Sequence, residues 1–107
     1  MDTITIEQFK QVEIKIGKVL SCEKVEGTDK LLKLQVDFGD FQRQILSGIA
    51  EHYSPSDLEG KKLPFIVNLE PRILRGLESK GMLMAIEGDK PVLLVPAEDV
   101  TEGSIVV

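Results

Sequence analysis

Short segments in which apolar and polar residues alternate recur along this chain, and turn residues separate them. Alternation with a period of two is typical of strands that bury one face, and 107 residues are enough for one domain around one core. The predicted strands are residues 12–16, 31–38, 41–49, 62–69, 81–87 and 92–95. The sequence therefore predicts a single all-β domain over residues 1–107.

The first predicted strand contains a break in its alternation. The apolar residues Val12, Ile14 and Ile16 are all at even positions, whereas Val19, which follows Gly17, is at an odd position, so the apolar parity changes. Such a change predicts a β-bulge that bends a long first strand, and a bent strand is what the closure of a small barrel requires.

Two short helices are predicted beside the strands. Thr5 followed by Gln8 resembles a capping box for a helical turn that runs to about Lys10. A second short helix is predicted to start at residues 54–57, with Pro55 in its first turn, and to end at Gly60. Three strands in a meander, a short helix and further strands form the order of a five-stranded OB-fold barrel. Pro64 in the fourth strand indicates that this is an edge strand or that the proline lies early in its strand.

The last residues, PAEDVTEGSIVV at 96–107, form a C-terminal extension that an isolated barrel does not need. Ile105, Val106 and Val107 are too apolar for a solvated tail. Either they pack back on their own barrel or they help to form a homodimer interface.

Charge is distributed unevenly along a chain whose net charge is −5. Residues 10–33 and 59–80 each sum to +2, whereas the other three segments, 1–9, 34–58 and 81–107, are negative. Within the second positive segment, residues 72–80 contain Arg72, Arg75 and Lys80 but one acid, Glu78. These cations lie between the predicted fourth and fifth strands, where an OB-fold borders its oligonucleotide groove.

Proline and glycine shape this cationic segment. Pro71, Gly76 and Gly81 predict a fixed loop rather than a helix. Cations on a fixed backbone lose less entropy on binding, and phosphate contacts from such a surface would dominate affinity for a nucleic acid.

Several other functions are disfavoured by what the chain lacks. A single cysteine, Cys22, and a single histidine, His52, make a zinc site improbable, and no cofactor is expected. Ser47 beside Gly48 and His52 is the nearest approach to a nucleophile and base, so a binding function is expected rather than an enzyme. No segment has the length of a membrane span or the pattern of a signal peptide, which predicts a cytoplasmic location without membrane partners.

The chain has only five aromatic residues, and most of them occupy apolar strand positions. The five are Phe9, Phe38, Phe41, Tyr53 and Phe65. Proteins that bind single strands usually stack bases on exposed aromatic rings. The composition therefore favours a folded RNA recognised by its backbone and shape.

Three motifs carry a resemblance to a known family. They are DKL at 29–31, SGI at 47–49 and the pattern N-L-x-P-R-x-x-R-G-x-x-S-x-G-M at 68–82. Together they resemble the tRNA-binding domain at the C-terminus of many bacterial methionyl-tRNA synthetases. Similar domains occur as the beta subunit of archaeal methionyl-tRNA synthetase, as stand-alone tRNA-binding proteins and in endothelial monocyte-activating polypeptide II. The resemblance covers about residues 9–106.

The resemblance implies an OB-fold that binds tRNA through the corner of its L shape, with little regard for the anticodon. It also implies a homodimer joined near the chain termini, and a domain that raises the tRNA affinity of a synthetase. Since the chain contains no synthetase core, we expect a stand-alone protein, a separate subunit or an excised domain.

Residue chemistry and the resemblance together predict nine tRNA contacts: Lys30, Lys33, Arg43, Ser47, Asn68, Arg72, Arg75, Ser79 and Lys80. Structural alternatives stay open for several of them. Lys33 and Arg43 could be solvated surface charges, Arg72 and Arg75 could pair with Glu70 or Glu78, and Asn68 could fix the loop backbone.

Two other binding functions remain as alternatives. CsaA-type secretion chaperones share this fold and several motifs, and Leu74, Met82 and Met84 could line a peptide groove, although both methionines are expected in the core. A structural module that joins two synthetase subunits is also compatible with tRNA binding.

Overall fold

The computed structural model describes all residues from 1 to 107, and it is a mostly β structure with two single-turn helices. In chain order the elements are α1 (Ile6–Phe9), β1 (Ile14–Lys24), β2 (Leu32–Asp37), β3 (Gln42–Ser47), α2 (Pro55–Leu58), β4 (Lys62–Ile66), β5 (Arg72–Leu74), β6 (Leu77–Ser79), β7 (Met82–Leu83), β8 (Ala85–Ile86) and β9 (Val92–Leu93). Both helices are too short to span a lipid bilayer.

Five antiparallel strands form a nearly closed barrel in the order β3-β2-β1-β4-β7. The gap between the outer strands is bridged just before β7, where the Lys80 N–H donates to the Gln44 carbonyl at 2.9 Å. This arrangement confirms the predicted OB-fold. The interior is filled by the inward residues of the five barrel strands and by Leu58 of α2. Its fully buried side chains are Val19, Leu32, Leu34, Val36, Ile45, Leu58, Leu63 and Phe65.

Strand β1 bends between two partners. Its first half pairs with β4 and its second half pairs with β2, and the register with β2 shifts between Val19 and Ser21. The predicted bulge therefore exists, but it lies at Leu20 rather than at Gly17. The apolar parity changes at Gly17 for another reason: Ile14 and Ile16 are buried outside the core cluster, whereas Val19 belongs to it. Residue 17 is glycine because a Cβ atom there would overlap the Val36 side chain and lie 2.6 Å from Cε1 of Phe38.

The predicted helix starts are both present. In α1 the Thr5 N–H donates to Gln8 Oε1 at 2.8 Å and the Gln8 N–H donates to Thr5 Oγ1 at 3.1 Å, which is a capping box. At α2 the Ser54 N–H donates to the Asp57 carboxylate at 2.8 Å, and this bond lowers the pKa of Asp57.

The predicted strand at residues 81–87 is divided into β7 and β8, and Pro64 of β4 explains the division. Pro64 lies third in β4, between β1 and β7, so the prediction of an edge strand is wrong. Met84 donates its N–H to the Pro64 carbonyl at 3.0 Å, but proline has no N–H to return. The barrel ladder ends there, and β8 pairs with β9 instead.

The C-terminal segment, residues 96–107, returns along the first half of β1. Gly103 and Val106 donate to the carbonyls of Ile16 and Ile14, and the Ile16 N–H donates to Ser104, at 2.7–2.9 Å. The backbone of the segment therefore packs on its own barrel, whereas the side chains of Ile105, Val106 and Val107 remain exposed, so the homodimer alternative stays a prediction.

Candidate nucleic-acid interface

The cationic segment is not a helix, as predicted, but the connection has strand pairing of its own and forms a hairpin. Strands β5 and β6 pair from Arg72 with Ser79 to Leu74 with Leu77. The two residues between them, Arg75 and Gly76, have φ values of 52° and 77°. Positive φ at both central positions is typical of a type I′ turn, which matches the twist of two paired strands. Arg75 is the one non-glycine residue of the chain in this backbone region.

Strand β3 holds the base of the hairpin in place. The Gln44 side chain donates to the Glu78 carbonyl at 2.9 Å, and the Lys80 N–H donates to Gln44 O at the same distance. The Leu46 N–H donates to Ser79 Oγ at 2.9 Å, and that hydroxyl donates to the Gly81 carbonyl at 3.3 Å. These bonds fix the hairpin against the barrel wall.

Ser79 is consequently a structural residue, and its predicted tRNA contact is corrected. Its side chain is buried, with 4% of the residue exposed, and the hydroxyl already has a donor and an acceptor. A ligand at the surface cannot reach it.

Asn68 also makes structural contacts. Its Oδ1 accepts from the Glu13 N–H at 2.8 Å, and its Nδ2 donates to the Gln11 carbonyl at 2.6 Å. The amide therefore fixes the backbone that enters β1, rather than that of its own loop. Because Asn68 is exposed and its Nδ2 carries a second hydrogen, it can still meet a ligand at the surface.

One side of the hairpin borders a groove of about 470 Å³, here called the hairpin groove. It brings together Lys33 of β2 and Arg75 of the turn, and it is lined by Glu23, Lys24, Val25, Glu26, Lys33, Arg75 and Leu77. Lys33 forms an ion pair with Glu23 at 2.5 Å. Such half-exposed pairs contribute little free energy, so a phosphate can replace the carboxylate.

A second groove of about 620 Å³ lies at the open end of the barrel and is called the barrel-end groove. Its lining residues are Glu13, Lys15, Phe41, Arg43, Val67, Asn68, Leu69, Glu70, Pro71 and Lys80. The Arg43 guanidinium carbon lies 4.7 Å from the centre of the Phe41 ring, and Arg43 also donates to the Val67 carbonyl at 3.4 Å. Stacking on the ring holds the guanidinium in one place.

Sequence reasoning missed Lys15 in this groove. Its Nζ atom lies 5.4 Å from the Phe41 ring centre, beside Arg43. Lys15 pairs across β1 and β4 with the buried Phe65, so it occupies an inward position at the end of the barrel. The alternation of VEIKI indicates that Lys15 faces away from Ile14 and Ile16, but not which charges it meets.

The other predicted contact residues are divided between the barrel-end groove and the surface outside both grooves. Lys80 pairs with Glu78 at 3.3 Å and lines the barrel-end groove. Arg72 is exposed on β5 and makes no ion pair with Glu70 or Glu78. Lys30 lies exposed in the turn before β2, and Ser47 is half-buried at the end of β3; Arg72, Lys30 and Ser47 line neither groove.

Cys22 and Tyr53 are both packed against the core. Burial raises the pKa of the Cys22 thiol to about 11, and the nearby carboxylates of Glu59 and Glu23 add to the effect. The neutral thiol is a poor nucleophile. The Tyr53 hydroxyl donates to the Pro91 carbonyl at 2.7 Å and its ring packs against the core, as expected from its position beside α2.

A five-stranded barrel with a fixed basic hairpin and two cation-lined grooves defines a nucleic-acid-binding module of the OB-fold class. Residues 14–105 match the family model described as "Putative tRNA binding domain", and the chain belongs to this family. Membership in a family of binding domains agrees with the expectation of a non-catalytic function.

Sequence relatives in other organisms indicate which members of this family the chain resembles. The chain is 50% identical over 104 residues to the methionine–tRNA ligase of Archaeoglobus fulgidus and 46% identical over 105 residues to that of Caldanaerobacter subterraneus. These matches cover 96% and 97% of this chain but 16% of each ligase. The chain thus corresponds to a tRNA-binding domain of the methionyl-tRNA synthetase type, which confirms the resemblance seen in its motifs.

Solved structures agree on the fold. A MetRS related protein from Pyrococcus horikoshii superposes with a TM-score of 0.96 at 41% identity over 100% of both chains. The chaperone CsaA from Bacillus anthracis superposes with a TM-score of 0.88 at 26% identity, over 99% of this chain and 100% of CsaA.

Proposed function

We propose that this domain binds folded tRNA through its phosphate backbone and shape, with little regard for the anticodon, and that it raises the tRNA affinity of a methionyl-tRNA synthetase core. The observation that carries the proposal is the fixed hairpin, which presents cations between two cation-lined grooves in a family of tRNA-binding domains. We expect the domain to act in the cytoplasm, as a separate subunit, as an attached domain or alone.

Phosphate contacts are the chemistry that these side chains offer. Arg72 and Arg75 can each bind phosphate oxygens through two N–H groups, and neither has an intramolecular ion pair to break. Lys33 on one side of the hairpin and Lys80 on the other extend the cationic surface. Because such contacts release counterions, affinity should fall steeply with salt.

The aromatic rings support a folded RNA as the ligand. Phe38 and Phe65 are buried, and the ring of Phe41 lies between Phe38 and the Arg43 guanidinium. Phe41 is the one aromatic residue that lines either groove, so neither groove has the row of exposed rings on which single-strand binders stack successive bases.

The first test is a comparison of ligands. Binding of tRNA, of a single-stranded RNA of equal length and of a basic, apolar peptide would be measured between about 50 and 200 mM salt. A preference for tRNA that weakens with salt is expected. Equal binding of the single-stranded RNA would contradict recognition of a folded shape.

The second test removes one cation at a time. Arg72→Ala and Arg75→Ala should each weaken tRNA binding about fivefold to thirtyfold, as for a lost charge-assisted contact, and leave the fold intact. Lys61→Ala is the matched control, because Lys61 is an exposed cation that lines neither groove. If both arginine variants bind tRNA as the parent does, the hairpin is not the interface.

We also propose a homodimer, because apolar side chains remain exposed where the termini meet. Ile6 and Phe9 of α1 and Ile105 to Val107 of the C-terminal segment surround a cavity of about 450 Å³, and Ile105 is 68% exposed. The backbone N–H and C=O of Ile105 have no intramolecular partner, so the outer edge of this segment is free to pair. Sedimentation should show a dimer for the parent and a monomer for Ile105→Asp, and a monomeric parent would contradict the proposal.

Peptide binding is the second candidate, favoured by the similarity to the CsaA chaperone. An apolar groove of about 410 Å³ contains Met84, Val95 and Pro96 together with Ile16 and Pro64. Leu74 and Met82 do not line it, and Met82 is 45% exposed, so its expected core position is wrong. Tight binding of the basic peptide without a preference for tRNA would assign the protein to the chaperone class.

A further inference from the structure

The hairpin carries one apolar residue that neither the barrel nor the phosphate contacts explain. Ile73 of β5 is 65% exposed. Arg72, Leu74, Leu77 and Ser79 share one face of the hairpin, in which Ser79 is buried and both leucines are half-buried against the barrel. Ile73 and its cross-strand partner Glu78 occupy the opposite face, which points to solvent.

Ile73 cannot reach the core by a small movement. The bonds from Gln44 and Leu46 to the β6 strand, and the two-residue turn at Arg75, fix which face points outward. A register shift of one residue would invert both faces and remove Ser79 from its buried position. The exposure of Ile73 is therefore a stable feature of the surface.

Charge around Ile73 indicates what covers it. Arg72 and Arg75 flank Ile73 in sequence, and Lys80 follows the second strand, which suits a polyanion. The direct neighbour of Ile73 is Glu78, however, and a carboxylate disfavours a phosphate at this position. An apolar side chain beside a hydrogen-bond acceptor suits a nucleobase, which offers an apolar face and amino donors at its edge.

We infer that Ile73 packs against an exposed base face of the bound tRNA while the cations around the hairpin hold neighbouring phosphates. This inference rests on the proposed tRNA binding and extends it. Folded RNA exposes base faces in its loops and at helix ends, whereas a continuous duplex buries them by stacking. Ile73 would thus make the domain prefer tRNA over double-stranded RNA, which the phosphate contacts alone cannot distinguish.

The experiment compares two protein variants on two RNAs. Ile73→Ser should weaken binding of tRNA about tenfold, the effect of uncovering a buried aliphatic side chain, and leave binding to a long RNA duplex unchanged. The salt dependence of tRNA binding should stay that of the parent, because no phosphate contact is lost. Arg75→Ala should instead weaken binding to both RNAs and reduce the salt dependence.

Two further variants control the result. Ile86→Ser changes an isoleucine that is 50% exposed on the separate β8–β9 hairpin, and it should bind both RNAs as the parent does. Ile73→Leu keeps an apolar side chain and should retain most of the tRNA affinity. Since Ile73 is exposed, we expect the thermal unfolding of Ile73→Ser to match the parent.

The outcomes separate this inference from the proposed function. If the parent binds tRNA and Ile73→Ser binds it equally well, the inference is wrong and tRNA binding stands. Equal weakening by Ile73→Ser of the binding to tRNA and to the duplex would also overturn the inference. A change in the oligomeric state of the RNA-free variant would overturn it as well, because Ile73 would then belong to a protein contact. A parent that shows no preference for tRNA would reject the proposed function and the inference together.

Discussion

The β5–β6 hairpin and the C-terminal segment are both additions to the same barrel, and both are attached by a few hydrogen bonds. The hairpin lies in a part of the chain with net charge +2 and is held by β3, whereas the C-terminal segment lies in a part with net charge −4 and is held by β1. A cationic and an acidic element thus occupy different walls of the barrel. The difference teaches that one scaffold can keep a cationic surface apart from an exposed apolar surface.

The two elements also differ in what fixes their shape. The hairpin has its own strand pairing and its own turn, so most of its geometry is local. The C-terminal segment has no pairing of its own and depends on residues more than 35 positions away, such as Ile16 and Lys62. We therefore expect the segment to be the more sensitive of the two to single substitutions in the barrel.

The largest effect is expected from Gly103→Ala in the C-terminal segment. Gly103 has a φ of 91°, and a Cβ atom there would overlap the Phe38 carbonyl oxygen, so the segment would have to leave β1. The free energy of unfolding should fall by about 3 kcal/mol, measured by urea denaturation. The folded fraction should still bind tRNA, because the hairpin is held elsewhere.

Gly27→Ala is the matched control for that substitution. Gly27 has a similar φ of 82°, but no atom lies within 4 Å of its added Cβ, so only the backbone cost of about 1 kcal/mol should appear. Equal losses of stability for the two variants would show that the close approach to Phe38 is not important for the segment.

The next largest effect is expected from a substitution of Arg75, which should lower tRNA affinity without lowering the stability of the fold. Asparagine adopts positive φ more readily than arginine and is common in type I′ turns, so Arg75→Asn should leave the free energy of unfolding equal or slightly higher. Its tRNA affinity should fall about tenfold through the lost cation. A stability loss in urea denaturation, or parent-like binding, would contradict a functional reason for arginine at this position.

The smallest effect is expected from pH acting on the attachment of the C-terminal segment. Lys62 donates to Asp99 at 2.7 Å and to the Val100 carbonyl at 2.6 Å, and it lies 3.6 Å from Glu102. The bond from Lys62 lowers the pKa of Asp99, and the bond to Asp99 raises the pKa of Lys62. The interaction of Lys62 with Asp99 therefore stabilises the folded protein above pH 3.8, the ordinary pKa of the Asp99 carboxyl, and below pH 10.5, the ordinary pKa of the Lys62 amine.

This contribution should be lost as pH falls through the lowered pKa of Asp99 or rises through the raised pKa of Lys62. Limited proteolysis of residues 96–107 over that pH range should show faster cleavage at both extremes. Asp99→Asn should remove the acid response, and an unchanged acid response in this variant would assign it to another carboxylate.

The sequence predicted the parts of the site that follow from local chemistry. The alternating segments predicted the barrel strands, the caps at Thr5 and Ser54 predicted both helices, and the spacing of Arg72, Arg75 and Lys80 predicted a cationic element beside strand four. It did not predict that this element is a hairpin, because an arginine in the turn hides the usual Asn-Gly signal.

What the amino-acid sequence determined by itself was therefore the order of the first four barrel strands and the two helices, the capping of the helices and the charge of the hairpin, because each depends on residues close together in the chain. The tertiary structure alone decided that Ser79 is buried beneath Leu46, that Asn68 holds Gln11 and Glu13, and that Lys15 joins Arg43 over Phe41. Apart from the contact of Arg43 with Phe41, these contacts join residues from 26 to 57 positions apart, and a polar side chain at such a distance has no local pattern that reveals its partner.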